Sequence, residues 1–208
     1  MSELLVELKI NEDNDNGVST ISFVENPAIQ EDFMYFSNEE IIKLQDVDNE
    51  MRIVTGLAMI PNKKILRRTA DGKDYFVFFS NKTVKRSSEL FLMRSNHKGT
   101  TVNHDKFIPD GVTVVESWIV DNPKLDKSIH LGFKDVPEGS WMVSYKVDND
   151  ELWNDIKNKK VLGFSIEGTY KPVEFKNDEA LEMECIEILD SCMSDEEIVS
   201  AIKEKLEL

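Results

Sequence analysis

The run Val112-Thr113-Val114-Val115-Glu116-Ser117-Trp118-Ile119-Val120 constrains the fold most, because so many β-branched and aromatic residues in succession read as a strand. Strict alternation along it would put Glu116 on one face with Val114, Trp118 and Val120. Four further segments have the same character and are expected as strands: Arg52–Ile60, Asp74–Ser80, Trp141–Val147 and Val161–Tyr170. Between them, Asn81–Ser95 has helical content, with Val84, Phe91 and Leu92 apolar. Asp148–Lys160 reads as a helix, with acids in its first turn, lysines in its last, and Leu152, Trp153 and Ile156 as the apolar face. The polar run Asn11 to Asn16, closing on Gly17, reads as a turn. Capping-box patterns at Ser37/Glu40 and Ser194/Glu197 predict a short helix over Glu39–Gln45 and a terminal helix over Ser194–Glu207. The expected architecture is α+β and rich in strands.

Charge divides the 208 residues into three zones. Residues 1–50 carry a net charge of −11, residues 51–110 carry +7, and residues 111–208 carry −11, most of it after Glu174. This predicts an acidic N-terminal extension (1–50), a core (51–175) and an acidic C-terminal tail (176–208). A total of −15 disfavours nucleic acid and anionic membrane as partners. The basic stretch from Lys63 to Arg86 lacks the interleaved aromatics and glycines of an RNA-binding motif. No apolar run approaches 18 residues and the N-terminus has no basic-then-apolar leader, so neither a membrane span nor a secretory signal is expected. Cys185 and Cys192 have no histidines near them, which argues against structural zinc or a disulfide framework and fits a reducing compartment.

Three residues stand out chemically. His104, in Thr101-Val102-Asn103-His104-Asp105, lies in a polar turn where an imidazole can titrate. Glu116 is a carboxylate on an apolar strand face, which needs either solvent at an edge or a partner. Ser165, in Gly163-Phe164-Ser165-Ile166-Glu167-Gly168, shares a strand face with Gly163 and Glu167, and the glycines permit another backbone to approach. The segment is not a nucleophile elbow, since Glu167 stands where that motif needs its second glycine. His97 and His104 lie seven residues apart without a partner at metal-ligand spacing, so no metal and no cofactor is expected.

In combination, His104, Glu116-Ser117-Trp118-Ile119-Val120 and Gly163-Phe164-Ser165-Ile166-Glu167-Gly168 resemble the phage serine proteases of the prohead (capsid maturation) group. The segment Val18 to Ile29 and the run Gly139-Ser140-Trp141-Met142-Val143-Ser144 are similar to that family too, so the resemblance spans roughly residues 17–172. It implies a fold like herpesvirus assemblin, a small mixed or antiparallel β-barrel-like sheet with surrounding helices. It also implies a serine endopeptidase that works inside the assembling procapsid in the host cytoplasm. Its expected substrates are scaffold protein and the major capsid protein, and in addition itself.

Carried over, the resemblance makes Ser165 the nucleophile and His104 the general base. Glu116 is the first choice for the third member, His130 the alternative and a Ser–Lys dyad with Lys160 a distant third. Backbone N–H groups near Ser165, Arg67 or Arg68 are the candidates for an oxyanion hole. Homo-oligomerisation is left open. Two rival classes are a non-catalytic scaffold or capsid-assembly protein of the same fold, and a metal-dependent hydrolase using His97, His104 and nearby aspartates.

Overall fold

A run of short strands, each with one apolar face, can bury those faces only by pairing and curling, and the computed structural model does both. It describes residues 4–11, 16–26, 34–36, 51–69, 72–174 and 197–199. In chain order the elements are β1 (Leu5–Lys9), β2 (Gly17–Val24), β3 (Met34–Phe36), β4 (Ile53–Met59), β5 (Ile65–Arg68), β6 (Asp74–Phe78) and α1 (Asn81–Met93). They continue with β7 (Lys98–Val102), β8 (Lys106–Ile119), α2 (Lys127–His130), β9 (Trp141–Val147), α3 (Asp150–Lys157), β10 (Gly163–Thr169) and β11 (Lys171–Glu174). The helix expected over Glu39–Gln45 lies outside the described residues, as does that over Ser194–Glu207 except for residues 197–199, which are helical.

Seven strands form one sheet in the order β10-β2-β7-β8-β9-β4-β3, and four form a second in the order β11-β1-β6-β5. Pairing is antiparallel except for β2 with β7 and β1 with β6. Register shifts at Leu57/Met59, Lys98/Thr100, Val114/Glu116 and Glu167/Gly168 interrupt the larger sheet. Irregularities of this kind increase local twist, and the sheet curls into half a barrel in which β10 lies against β4 without pairing to it. The fold is mixed α+β, mostly sheet, with few helices.

The inside of the curl is the main core. Phe23 meets Tyr145 (centroids 5.2 Å apart, planes at 68°) and Phe164 (5.0 Å, 84°) in edge-to-face contacts. Phe91 of α1 sets its ring against Trp141 at 5.4 Å. Leu152, Trp153 and Ile156 of α3 are all buried, as their spacing predicts. Asn149 caps that helix by accepting from the Leu152 N–H at 2.9 Å. On the other side of the sheet Leu57, Met142, Val120, Phe133 and Val136 make a smaller cluster beneath the connection from β8 to β9.

Two differences from the sequence reading matter for the site. β1 and β2, both from the strongly acidic first fifty residues, are interior strands of the two sheets. And β8 does not alternate strictly: an extra residue, Val115, is bulged out and half exposed. Val114 pairs with Tyr145 in the main core, whereas Glu116 pairs with Ser144 and shares its face with Trp118, on the side of the smaller cluster. The bulge moves the carboxylate from the core face that alternation predicts to the opposite one.

Candidate active site

Pairing between strands sets Ser165 in a row of hydroxyls. Ser165 of β10 stands opposite Ser22 of β2, Ser22 opposite Thr101 of β7, and Thr101 opposite Phe107 of β8. Opposed residues share a face, so all four lie on one side of the sheet, while Phe164 and Phe23 fill the core on the other. Ser22 is fully buried and donates to the Thr101 carbonyl at 3.2 Å.

His104 enters this row from the turn between β7 and β8. Asn103 and His104 both have left-handed backbone, with φ of 51° and 61°. Such a turn needs external bonds, and β2 supplies them. The Asn103 N–H donates to the Phe23 carbonyl at 2.9 Å, the Asn103 side chain accepts from Glu25 N–H at 3.0 Å, and the His104 N–H donates to Ser22 Oγ at 3.1 Å. The imidazole then meets a carboxylate: Nδ1 is 3.1 Å from Glu167 Oε1. That same oxygen accepts a hydrogen bond from the Thr101 hydroxyl. Glu167 is two residues beyond Ser165 on the same face of β10.

An ionised carboxylate only accepts, so a Glu167 carboxylate at this distance favours the tautomer with the hydrogen on Nδ1. Among the described residues the Ser165 hydroxyl has no hydrogen-bond partner, and none joins it to His104.

The other predicted residues are distributed differently. Glu116 Oε1 lies 2.9 Å from Lys127 Nζ, and its Oε2 accepts from Ser144 Oγ at 2.7 Å. Lys127, with help from the Ser144 hydroxyl, holds the Glu116 carboxyl below the usual range for glutamate. Lys127 also sits 3.7 Å above the Trp118 ring, so Glu116 clamps α2 to β8 and β9 rather than meeting His104. His130 is exposed at the end of α2. Lys160 is paired with Asp155 at 2.7 Å. Arg68 forms a bidentate pair with Asp74, whereas Arg67 lines the cleft that Ser165 also lines. Among the described residues no three His, Cys, Asp or Glu side chains gather as a metal set.

Glu167, Thr101 and Ser22 thus belong to the neighbourhood of His104 and were not singled out by spacing. For Glu167 a signal existed, namely its position two residues from Ser165 on the same strand face. For Thr101 and Ser22 there was none, since a hydroxyl buried between strands looks like any other strand residue.

Comparison with known proteins agrees with the geometry at family level. No curated protein and no solved structure matches the chain. The family described as "Putative phage serine protease XkdF" matches residues 38–174, well over half the chain and the stretch that carries His104, Glu116, Ser165 and Glu167. The chain belongs to that family of phage serine proteases.

Proposed function

We propose that the protein is a prohead serine endopeptidase that cleaves scaffold and capsid-protein extensions, and itself, during capsid maturation, with Ser165 as nucleophile and His104 as general base. The observation that carries this reading is the carboxylate of Glu167 on His104 Nδ1, two residues from Ser165 on one strand face. Glu167 rather than Glu116 takes the third role, because Glu116 is engaged by Lys127 and Ser144. An assemblin-like fold is part of the same proposal, as is a place inside the assembling procapsid in the host cytoplasm. The acidic segment after residue 175 would hold the enzyme in the scaffold core or cover the basic stretch until it is trimmed, whereas the N-terminal acidic segment supplies β1 and β2 and stays in the fold.

In the reaction His104 Nε2 takes the Ser165 proton as Oγ attacks the scissile carbonyl. The imidazolium so formed is stabilised by Glu167, and it returns the proton to the leaving amine as the tetrahedral intermediate collapses. Water, deprotonated by the same nitrogen, then hydrolyses the acyl-enzyme. Arg67, in the wall of the same cleft as Ser165, is the side-chain candidate for the oxyanion charge, since Arg68 is already committed to Asp74.

The test is intact mass over time for concentrated wild-type protein, with and without scaffold protein, beside Ser165→Ala and His104→Ala. Fragments in wild type that are missing from both variants support the reading. Stable masses throughout, with scaffold uncut, would leave the non-catalytic assembly protein of the same fold in its place.

A further inference from the structure

A cleft of about 160 Å³ lies where the two sheets meet, on the Phe164–Ile166 face of β10, with Ser165 of the same strand also in its wall. Ile166 of β10, Met59 at the end of β4 and Ile65 of β5 make its sides. Phe79 and Tyr170 make another wall, their rings packed edge to face at 4.9 Å and 65°. The Tyr170 hydroxyl is bonded to Ser87 Oγ at 3.1 Å, which satisfies its polar end. An apolar cavity of roughly 150 Å³ admits one group about the size of benzene.

The lining fixes the chemistry of an occupant. Apart from Arg67 and the hydroxyls it is hydrocarbon, aromatic ring and thioether, so an amide or charged side chain would enter at the cost of its water. A side chain as small as alanine would leave most of the space unfilled and lose the dispersion contacts of the walls. The cleft is also within reach of an extended backbone: among the described residues β10 pairs with β2 alone and faces β4 unpaired, so it offers a strand edge beside Ser165.

We infer that this cleft is a specificity subsite that takes one large apolar side chain of the peptide substrate, of leucine, methionine or phenylalanine size. The inference rests on the protease reading of Ser165 and adds to it the class of residue that must flank the cut. Ile65 is the residue to vary, because it is only partly buried and sits on a short edge strand.

The experiment digests a mixed peptide library with the full chain as wild type, Ser165→Ala, Ile65→Phe and Ile65→Ala, with cut sites read by mass spectrometry and folding checked by thermal melting. Wild type is expected to cut peptides with leucine, methionine or phenylalanine at one fixed position at least about tenfold more than those with alanine there. Ile65→Phe, which fills the cleft, should lower those cuts about tenfold, and Ile65→Ala should admit tryptophan. Ser165-dependent cutting without apolar enrichment at any position overturns the subsite and leaves the protease standing. Enrichment that neither Ile65 variant moves has the same meaning. Absence of cutting by wild type, or cutting that persists in Ser165→Ala, overturns the protease reading and the subsite with it.

Discussion

His104 Nδ1 and Glu167 Oε1 stand 3.1 Å apart, joining a strained turn to the strand that carries Ser165. A carboxylate at Nδ1 favours the tautomer with the hydrogen on that nitrogen, and an amide in its place can present its own N–H to Nδ1 and stabilise the other one. Glu167→Gln is therefore expected to lower kcat/KM by about 100- to 10,000-fold with little change in thermal stability. Glu116→Gln should leave kcat/KM within about twofold. Peptide-cleavage kinetics on the two variants side by side distinguish the two carboxylates, and equal losses would remove Glu167 from its assigned role.

Glu116 should act on stability instead. Its folded-state pKa is depressed, so the stabilisation is fully present above the unfolded value near 4.3 and fades as pH falls through the lower, folded value. The pair is half exposed and screened, so Lys127→Met should cost no more than about 1 kcal/mol at pH 7. That difference should shrink steadily below about pH 4. Chemical denaturation at several pH values measures it, and a gap between wild type and Lys127→Met that stays constant down to pH 2 would rule out the clamp.

Gly168 has no room for a side chain. A Cβ there would run into the Gly17 carbonyl oxygen across the β10–β2 pair, which is backbone and cannot swing aside. Gly168→Ala should destabilise by about 2–4 kcal/mol, seen as a fall in melting temperature or in soluble yield. The strand that suffers is the one bearing Ser165, so activity should fall with it.

Asn149→Ala should cost about 1 kcal/mol, because the Leu152 N–H at the start of α3 loses its acceptor. Asn149→Asp keeps the acceptor and should cost little. Denaturant melts of the two variants give the comparison directly.

Much of the scaffold was legible where local pattern and tertiary demand agree. Trp141–Val147 is a strand over its whole predicted length, and the apolar face of α3 is the one its spacing implies. β8 was read too short, since Pro109, Asp110 and Gly111 look like a break, yet the strand runs through them from Lys106. β7 has the sequence Lys-Gly-Thr-Thr-Val, too polar to stand out, and is held by neighbours on both sides. Charge counting passed over β1 because it cannot see that Glu7 is buried and paired with Lys9 at 2.8 Å. In the candidate site, Ser165 and His104 were singled out through a family resemblance, whereas the side chain that meets His104 depends on which strands become neighbours. Sixty-three residues separate His104 from Glu167, and only β2, lying between β7 and β10, brings them together.

The aromatic packing of β10 has a consequence for the chemistry on its other side. A slip of one residue against β2 would turn Phe164 and Ile166 out to water and drive Ser165 and Glu167 into the greasy interior. Phe164, wedged between Phe23 and Tyr145, makes that slip costly. It works as a detent, a notch that holds the strand at one setting and so decides, from the opposite side of the sheet, which way the serine faces.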